Sequence, residues 1–564
     1  MSGMSAVRAE FDLTRALDAA CSGTARTALC GVLLALVWFA PLGYRALLTP
    51  DEGRYATIAL EMMRSGDWIT PRLNGFLYFE KPALQYWMGA LAFHLFGVND
   101  FAARLWPGLT GLLTVLAVAY TARRLWGRAA GGHAAMVGAG TTWIIANSHF
   151  LSLDMGLTFF LTLALCAFLL GQRDGAGDDE RRRAMWVTWA AIAGATLSKG
   201  LVGVLIPGAT LVLYSLLNRQ WAFWRRMHWG TGLPLFLALA APWFVAVSLR
   251  NPDFFEFFFI HEHFQRYLTD EAQRVGAPWY FVPFLLVGFM PWTTTLPALA
   301  RLGARRDDSQ TFQPLRLLLV WSAFVFVFFS VSRSKLPSYI LPMFPALALL
   351  AAAWLERVDA SRLPRHLLLP VAGCVAMIVV APFADRFATH DTPAEILRPM
   401  ALLMALGAAL FIAGAALAWR ALRRGHRNAA TLVVAAASLV SVTLVMSGHD
   451  SHGSLKSSEE AVEALAPELR ADDPVFSVAM YDQTLPYYLR RDVTLVAYSG
   501  ELAFGQRHDP QRWIPTLEQF DARWRALPRG AAMMPRALFL QMQHAGLPMR
   551  VVYEDPRRVV VVRS

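Results

Sequence analysis

The chain has 564 residues, of which 56% are apolar and only 16% charged, and this composition excludes an ordinary soluble protein of several domains. The formal net charge is +11, but the basic residues cluster between apolar runs, which is typical of membrane topology signals and excludes nucleic-acid binding as their main purpose. The four cysteines lie in the N-terminal segment or in apolar runs, so their spacing predicts neither a disulfide framework nor a metal cluster.

The apolar runs predict a polytopic α-helical membrane protein with thirteen spans, its N-terminus in the cytoplasm and its C-terminus outside. The first run is too long for the apolar part of a signal peptide, so we expect a retained membrane helix. A further run, 82–97, has 16 residues, whereas a span needs about 20. Its Gln85 and His94 favour an interfacial helix, and this choice puts every arginine cluster on the cytoplasmic side. The predicted spans are 28–48, 102–122, 131–150, 155–172, 184–198, 200–217, 229–249, 277–299, 314–331, 338–355, 366–384, 399–419 and 428–446.

These runs predict two domains: a transmembrane domain, 1–446, whose outward loop 49–101 carries juxtamembrane helices, and a small soluble α/β domain, 447–564. In the second domain, alternating and β-branched patterns predict strands within 473–480, 492–498, 537–543 and 550–564. Helical periodicity predicts amphipathic helices within 454–470 and 515–527.

Two carboxylate positions lie at the predicted outer face. Asp51 and Glu52 open a helical stretch after Pro50, where a plain helix-capping role is the alternative. Asp154 stands between apolar runs with no Arg or Lys within eighteen residues on either side. It is either an interfacial carboxylate facing water or a functional group in a membrane-face cavity. Asp51 and Asp154 face the same side only in the thirteen-span topology.

Six cations also lie at the predicted outer ends of membrane segments, although Lys and Arg are usually enriched on the cytoplasmic side. A single such residue is ordinarily a side chain that reaches from the membrane to the interface. Together, beside two carboxylates, they predict a site for a phosphate-bearing lipid, because fixed positive charge holds a phosphate and stabilises it as a leaving group. The six are Arg54, Lys81, Lys199, Arg266, Arg333 and Lys335.

A divalent-metal site, with zinc as the candidate, is a further hypothesis. The sequence "HEH" contains His261 and His263, whose spacing lets only one of them ligate from one face of a helix. Glu80 and His261 would be the ligands, and hydrogen-bonded interfacial histidines are the alternative.

Several segments resemble the bacterial 4-amino-4-deoxy-L-arabinose lipid A transferases and, more broadly, polyprenyl-phosphate-sugar glycosyltransferases of the GT-C fold, which include protein O-mannosyltransferases. The segments are "PDEGRYA", "SGDWITPRLNGFLYFEKPALQYW", "LFGVNDFAAR", "TLSKG", "EHFQRYLTDEAQRVGAPWYFVP" and "KLPSYIL". The resemblance covers about residues 28–345, with gaps. One departure is "SVSRSKLPSY", where Arg333-Ser334 replaces the Lys-Gly that the family pattern has before Lys-Leu-Pro, which bears on local phosphate geometry.

The resemblance implies a GT-C-like enzyme of the bacterial inner membrane that moves 4-amino-4-deoxy-L-arabinose from undecaprenyl phosphate to a lipid A phosphate at the periplasmic face. This modification masks negative charge and gives resistance to cationic peptides such as polymyxin. By motif, Asp51 and Asp154 are the catalytic carboxylates, and Lys81, Arg266 and Tyr339 hold the donor phosphate, with help from Arg54 and Lys199. Glu52, Glu80, Arg333 and Lys335 are further candidates. We expect inversion at the anomeric carbon of the sugar and a monomeric protein, and zinc is the one candidate cofactor.

Two other functions stay open at this point. A related transferase for another sugar or a protein acceptor predicts an acceptor-side base, because a hydroxyl nucleophile must be activated. A lipid flippase or transporter predicts internal repeats and broken helices at the membrane midplane, and the sequence shows no repeat.

Overall fold

The computed structural model describes residues 24–265, 276–389 and 392–563, with side chains from Gly31 onward apart from those of 261–265, His452 and Ser454. Helices of the first half are α1 (Thr24–Phe39), α2 (Asp51–Ser65), α3 (Leu84–Phe96), α4 (Asp100–Trp126), α5 (Arg128–Gly140), α6 (Thr142–Ser148), α7 (Leu153–Gln172), α8 (Asp178–Lys199), α9 (Val202–Asn218) and α10 (Trp229–Arg250). Those of the second half are α11 (Phe281–Gly288), α12 (Leu296–Ala304), α13 (Pro314–Val331), α14 (Phe344–Arg357), α15 (Leu368–Val380), α16 (Ala394–Arg423), α17 (Arg427–Gly448), α18 (Asp450–Lys456), α19 (Glu459–Leu465), α20 (Thr484–Leu489), α21 (Ala503–His508), α22 (Leu517–Ala526) and α23 (Arg536–His544).

Strands and tighter helical turns complete the described elements. The strands are β1 (Arg72–Leu73), β2 (Phe76–Leu77), β3 (Val475–Val478), β4 (Thr494–Val496), β5 (Ala531–Met534), β6 (Arg550–Glu554) and β7 (Val559–Val562). Turns of 3₁₀ helix cover Ala40–Gly43, Ala222–Arg226, Thr293–Thr295, Pro337–Met343, Ala360–Leu367, Ala381–Phe387, Ala466–Glu468, Gly500–Leu502 and Pro510–Arg512, and Glu256–Gln265 is a π-helix.

The chain is a multi-pass membrane protein. Among the described residues, eight helical stretches are long and apolar enough to cross a membrane, or nine if a pair bent by 108° is one span. Each of the eight coincides with a predicted span. They are Asp100–Trp126, Leu153–Gln172, Trp229–Arg250, Pro314–Val331, Pro337–Arg357, Ala360–Phe387, Ala394–Arg423 and Arg427–Gly448.

The predicted count of thirteen spans is not confirmed, and the five remaining runs each depart from a plain membrane helix. Run 28–48 gives a short apolar helix, Gly31–Gly43, and run 200–217 gives the 17-residue α9. Run 131–150 is divided at Thr141 into α5 and α6. Run 184–198 lies in α8, whose first six residues are all charged. Run 277–299 bends between α11 and the turn Thr293–Thr295, where Pro291 lacks the backbone N–H that a continuous helix needs.

The described chain divides into two compact units. Among the described residues, the membrane unit comprises 24–42, 107–265, 276–380 and 404–446. Its α7 packs along α8, and α14 packs against α5. Small residues permit the close contacts: a Cβ on Gly140 would lie 2.8 Å from the Cα of Ala435.

The second unit comprises the described residues 43–106, 381–389, 392–403 and 447–563, and we call it the juxtamembrane unit. Its five-stranded sheet has the order β4-β3-β5-β7-β6, in which β3 runs parallel to β4 and β5 while β7 runs antiparallel to β5 and β6. Phe476, Phe520 and Trp524 are fully buried in the core that the sheet shares with α22. The small soluble α/β region is thus confirmed, while the predicted boundary at residue 447 stays a prediction.

Most elements predicted for the tail are present, but one predicted strand is wrong and one strand was missed. Segment 537–543 was expected to be a strand, but it lies in helix α23, whose Phe539 and Met542 are buried at a spacing of three residues. Strand β5 was missed because its sequence, Ala-Ala-Met-Met, has low β-propensity. Burial between β3 and β7 determines its conformation instead.

Segment 49–101 is joined to the C-terminal residues within the juxtamembrane unit. The Asn74 side-chain amide donates to the Val493 carbonyl at 2.8 Å and accepts from its N–H at 2.8 Å. Gly53 of α2 lies so close to α20 that a Cβ there would be 2.6 Å from the backbone nitrogen of Thr484. The predicted juxtamembrane helix at 82–97 is present as α3, with Leu91, Leu95 and Phe96 exposed, as suits an interfacial location.

Candidate active site

Local sequence places Asp154 at the start of a membrane helix. The Ser152 hydroxyl accepts a hydrogen bond from the Asp154 N–H at 3.3 Å and so caps α7. The cap fixes where the helix begins, and the Asp154 carboxylate therefore projects from its first turn. Its side chain is only 10% exposed.

Side chains from two other elements contact the Asp154 carboxylate. Lys199 forms an ion pair with its Oδ1 atom, and the Ser338 hydroxyl donates to its Oδ2 atom at 2.7 Å. The Lys199 Nζ atom also lies 4.4 Å from the centroid of the Tyr339 ring, within cation–π range. We call Asp154, Lys199, Ser338 and Tyr339 the Asp154 cluster. The structure therefore brings together three of the predicted site residues and adds Ser338.

The elements of the membrane unit explain this convergence. Lys199 is the last residue of α8, which ends because Gly200 adopts φ 74° and returns its N–H to the Thr196 carbonyl at 2.8 Å. Ser338 and Tyr339 lie in the 3₁₀ turn that begins at Pro337 and leads into α14. Three chain turns thus meet beside one carboxylate.

Asp51 belongs to a second group, in the juxtamembrane unit. It opens α2, and its Oδ1 atom lies 2.8 Å from Nη1 of Arg54, one helical turn further on. The Nε atom of Arg54 lies 2.6 Å from Oε2 of Glu501. We call Asp51, Arg54 and Glu501 the Asp51 cluster. Burial raises the pKa of the Glu501 carboxyl, and the Arg54 guanidinium opposes that shift.

Glu52, the neighbour of Asp51, is fully buried in an ion cluster. Its carboxylate accepts hydrogen bonds from Arg45 at 3.0 and 3.2 Å and from Arg104 at 2.7 and 2.9 Å. The Leu48 N–H adds a fifth bond at 3.0 Å. We call Arg45, Glu52 and Arg104 the Glu52 triad. With both carboxylate oxygens engaged, Glu52 is suited to fixing the start of α2, and its role as a further site residue stays a prediction.

The remaining predicted site residues have local partners or lie outside the description. Lys81 donates to the Glu80 carbonyl at 2.8 Å. Lys335 is 6% exposed and donates to the carbonyls of Ser330 at 2.6 Å and Ser332 at 2.7 Å, and Arg333 is exposed. Arg266 lies outside the described residues.

The zinc hypothesis also stays a prediction. The His261 side chain is not described, and among the described side chains no three His, Cys, Asp or Glu residues are grouped to hold a metal.

Sequence reasoning missed several residues of these groups. In the predicted topology, Arg45 and Arg104 lie near membrane ends on the same side as Asp51, and the charge bias that drew attention to the six cations could have found them too. Ser338 is a common polar residue with no distinguishing spacing. Glu501 lies 447 positions beyond Arg54 in the sequence, and no local pattern connects the two.

Comparisons with known proteins identify the family. Residues 25–258 match the family model described as dolichyl-phosphate-mannose-protein mannosyltransferase, and residues 461–563 match the aminoarabinose transferase C-terminal domain. The undecaprenyl phosphate-α-4-amino-4-deoxy-L-arabinose arabinosyl transferase of Edwardsiella ictaluri is 31% identical, over 90% of this chain and 92% of its own. The Pseudomonas aeruginosa (strain LESB58) protein of the same name is 33% identical, over 89% of this chain and 91% of its own.

A solved structure agrees with these relatives. The crystal structure of ArnT from Cupriavidus metallidurans bound to undecaprenyl phosphate superposes with a TM-score of 0.91 and 36% identity, over 96% of this chain and 99% of that one. The expected GT-C fold and lipid-linked-sugar glycosyltransferase class are thereby confirmed. The chain belongs to the family of undecaprenyl phosphate-aminoarabinose arabinosyl transferases.

Proposed function

We propose that the chain transfers 4-amino-4-deoxy-L-arabinose from undecaprenyl phosphate to a phosphate of lipid A at the periplasmic face of the bacterial inner membrane. The observation that carries the proposal is the full-length match to an ArnT structure that holds undecaprenyl phosphate. The positively charged sugar offsets phosphate charge on lipid A, and cells therefore gain resistance to cationic peptides such as polymyxin.

The reaction we propose is a single displacement with inversion. An oxygen of the acceptor phosphate attacks the anomeric carbon, and the bond from that carbon to the undecaprenyl phosphate oxygen breaks. Undecaprenyl phosphate leaves with the electron pair. Because the second pKa of a phosphate monoester is about 6, the attacking oxygen is already largely ionised and no strong base is needed.

The chain's own residues then have to bring two anions together and stabilise the leaving one. We assign Lys81, Arg266 and Tyr339 to the donor phosphate, with Lys199 and Arg54 as helpers. Asp154 binds Lys199 and Ser338 through its two oxygens, and we assign it the task of fixing Lys199 beside Tyr339. Asp51 is assigned to the reacting carbon or to the ammonium group of the sugar.

Mass spectrometry of lipid A tests the proposal. Cells that make the donor but lack their own transferase should gain one aminopentose unit on lipid A when they express this chain. Asp154→Asn should abolish the gain, whereas Asp385→Asn, which breaks a surface ion pair with Arg398, should leave it intact. Unchanged lipid A in cells that express folded protein would reject the acceptor, and a retained anomeric configuration in the product would reject inversion.

A protein acceptor is the second candidate, and the mannosyltransferase family model over residues 25–258 is the observation that favours it. It predicts glycosylated periplasmic protein with unmodified lipid A in the same cells. The zinc hypothesis is tested with a chelator in the same assay: an unchanged rate would contradict it, and a loss of activity that zinc restores would support a site at Glu80 and His261.

A further inference from the structure

We infer that Glu501, in the C-terminal part of the chain, is a positioning residue for the transfer reaction, because it holds Arg54 in the orientation in which Arg54 holds Asp51. The inference rests on the proposed function and assigns a task to the soluble α/β region. Glu501 itself contacts neither sugar nor phosphate in this scheme.

The geometry is a chain of alternating charges. Glu501 binds the Nε edge of Arg54 at 2.6 Å, and Asp51 binds Nη1 at 2.8 Å. Asp51 is the most exposed of the three: its side chain is 31% exposed, whereas those of Arg54 and Glu501 are 10% and 13% exposed. Asp51 is therefore the end that substrate can reach, and Glu501 is the anchored end.

Glu501 is itself held by a neighbour from α20. The side-chain amide of Gln483, the residue that precedes α20, donates to Glu501 Oε1 at 2.5 Å. The Gln483 amide oxygen accepts from the Thr49 hydroxyl, and its backbone carbonyl accepts from the Thr57 hydroxyl at 2.9 Å. The C-terminal residues thus contact both Thr49, two residues before α2, and the second turn of α2. A shift of Glu501 would be transmitted directly to the helix that carries Asp51.

Aromatic rings keep water away from Arg54 and so strengthen the ion pair. The Arg54 guanidinium carbon lies 5.9 Å from the centroid of the Tyr55 ring, and Tyr55 packs on the fully buried Tyr86 at 6.2 Å. Tyr78 is 2% exposed, and burial raises its pKa so that the phenol stays neutral. A guanidinium with little access to water needs a fixed counter-charge, and Glu501 supplies one that does not depend on substrate.

Two carboxylates already occupy two edges of Arg54, and this bears on what Arg54 does. A guanidinium between two carboxylates carries little uncompensated charge with which to attract a phosphate. We therefore assign Arg54 mainly to orienting Asp51. Loss of Glu501 should lower kcat, since Asp51 would be displaced from the reacting carbon, and should change the KM for donor much less.

Steady-state kinetics of the purified full-length protein, with undecaprenyl phosphate-linked aminoarabinose and lipid A, tests this inference. We expect Glu501→Gln to lower kcat by about tenfold or more, since a displacement of about 1 Å can cost on the order of 100-fold. The donor KM should stay within about twofold, because the main contacts assigned to the donor phosphate are Lys81, Arg266 and Tyr339, and Arg54 is only a helper. Glu501→Asp, which keeps the charge on a shorter side chain, should recover part of the rate. Glu468→Gln, which breaks a surface ion pair with Arg550 in the same region, is the matched control and should behave as wild type.

Three results would overturn the inference: wild-type kcat in Glu501→Gln, no recovery in Glu501→Asp, or a donor KM that rises as much as kcat falls. If Glu501→Gln does not yield folded protein, the kinetics of Glu501→Asp alone test the inference. A kcat below that of wild type with an unchanged donor KM would support it, and a wild-type kcat would contradict it. Failure of the proposed function is distinguishable, because the wild-type protein would then transfer no aminoarabinose to lipid A in the same assay.

Discussion

Replacing Glu52 by glutamine should destabilise the protein far more than the change of one atom suggests. Glu52 is fully buried, and its carboxylate accepts five hydrogen bonds, four of them from the two guanidinium groups of Arg45 and Arg104. The amide of glutamine keeps one acceptor oxygen and turns an NH₂ group toward donors. Two buried cations would then lack their shared counter-charge.

The expected cost follows from this burial. Removing one partner of a buried ion cluster typically costs about 3–5 kcal/mol, because the remaining charge is left uncompensated. A surface ion pair contributes only about 0–1 kcal/mol. Replacing the whole triad by apolar residues of similar volume is often close to neutral, since no charge is then left in a buried place.

Thermal unfolding of the detergent-purified protein, followed by tryptophan fluorescence, measures the effect. Glu52→Gln should melt well below wild type, and the triple variant Arg45→Met/Glu52→Leu/Arg104→Met should melt above Glu52→Gln. Asp385→Asn, at the exposed pair with Arg398, is the control and should melt with wild type. An unchanged melting temperature in Glu52→Gln, or a triple variant less stable than the single one, would refute this reasoning.

Three further variants test other contacts. Gly53→Ala should lower the melting temperature, because the new Cβ would lie 2.6 Å from the Thr484 backbone nitrogen and overpack the contact. Overpacking of this kind typically lowers the free energy of unfolding by about 1–3 kcal/mol. Ser338→Ala should slow sugar transfer severalfold and cost about 1 kcal/mol of stability, because Asp154 loses a hydrogen bond of 2.7 Å. The wild-type protein should lose stability as the pH rises, and Glu61→Gln should lose less. The measurement is the difference in melting temperature between pH 6 and pH 8.5. Burial and the charge of Asp492 raise the pKa of the folded Glu61 carboxyl from 4.5 to about 8, so the folded state holds a proton that the unfolded chain releases, and stability is lost between these values.

Each of these variants has a control. Gly208→Ala meets nothing within 4 Å and should melt close to wild type. Ser309→Ala removes an exposed hydroxyl that donates to Asp307 at 2.5 Å, and sugar transfer should not change. Glu468→Gln should keep the wild-type pH slope. A wild-type rate in Ser338→Ala, a wild-type melting temperature in Gly53→Ala, or a wild-type slope in Glu61→Gln would contradict the corresponding contact.

The sequence predicted membrane helices well where an apolar run was long and unbroken. All eight long apolar helices in the part of the chain that the structure describes coincide with predicted spans. Hydropathy averages over a window, so it did not register the division at Thr141 or the bend at Pro291, each of which depends on one residue. Hydropathy also did not show that the apolar part of α8 and the six charged residues before it form one continuous helix.

For the site, local motifs predicted residues that act within one turn or one neighbouring loop. Asp51 and Arg54 are three positions apart, and their contact is a property of any helix. Asp154 and Lys199 stood out as isolated charges near membrane ends, although nothing in the sequence showed that they pair. Contacts such as that of Glu501 with Arg54 depend on the packing of segments that lie hundreds of residues apart in the chain. The periodicity of a single sequence predicts local structure and does not predict such contacts. The predicted convergence of Asp51, Lys81, Asp154 and Arg266 in one cavity stays a prediction.

The pairing of charges also separates the two catalytic candidates that the sequence treated alike. Asp154 uses both oxygens within its own cluster and is 10% exposed, so its charge is committed to Lys199 before any substrate arrives. Asp51 binds Arg54 through one oxygen and is 31% exposed. A carboxylate that is committed to a lysine can set the position of that lysine, whereas one that meets solvent can meet a sugar. The asymmetry therefore favours a division of work in which Asp154 fixes the cation for the leaving phosphate and Asp51 faces the reacting carbon or the ammonium group beside it.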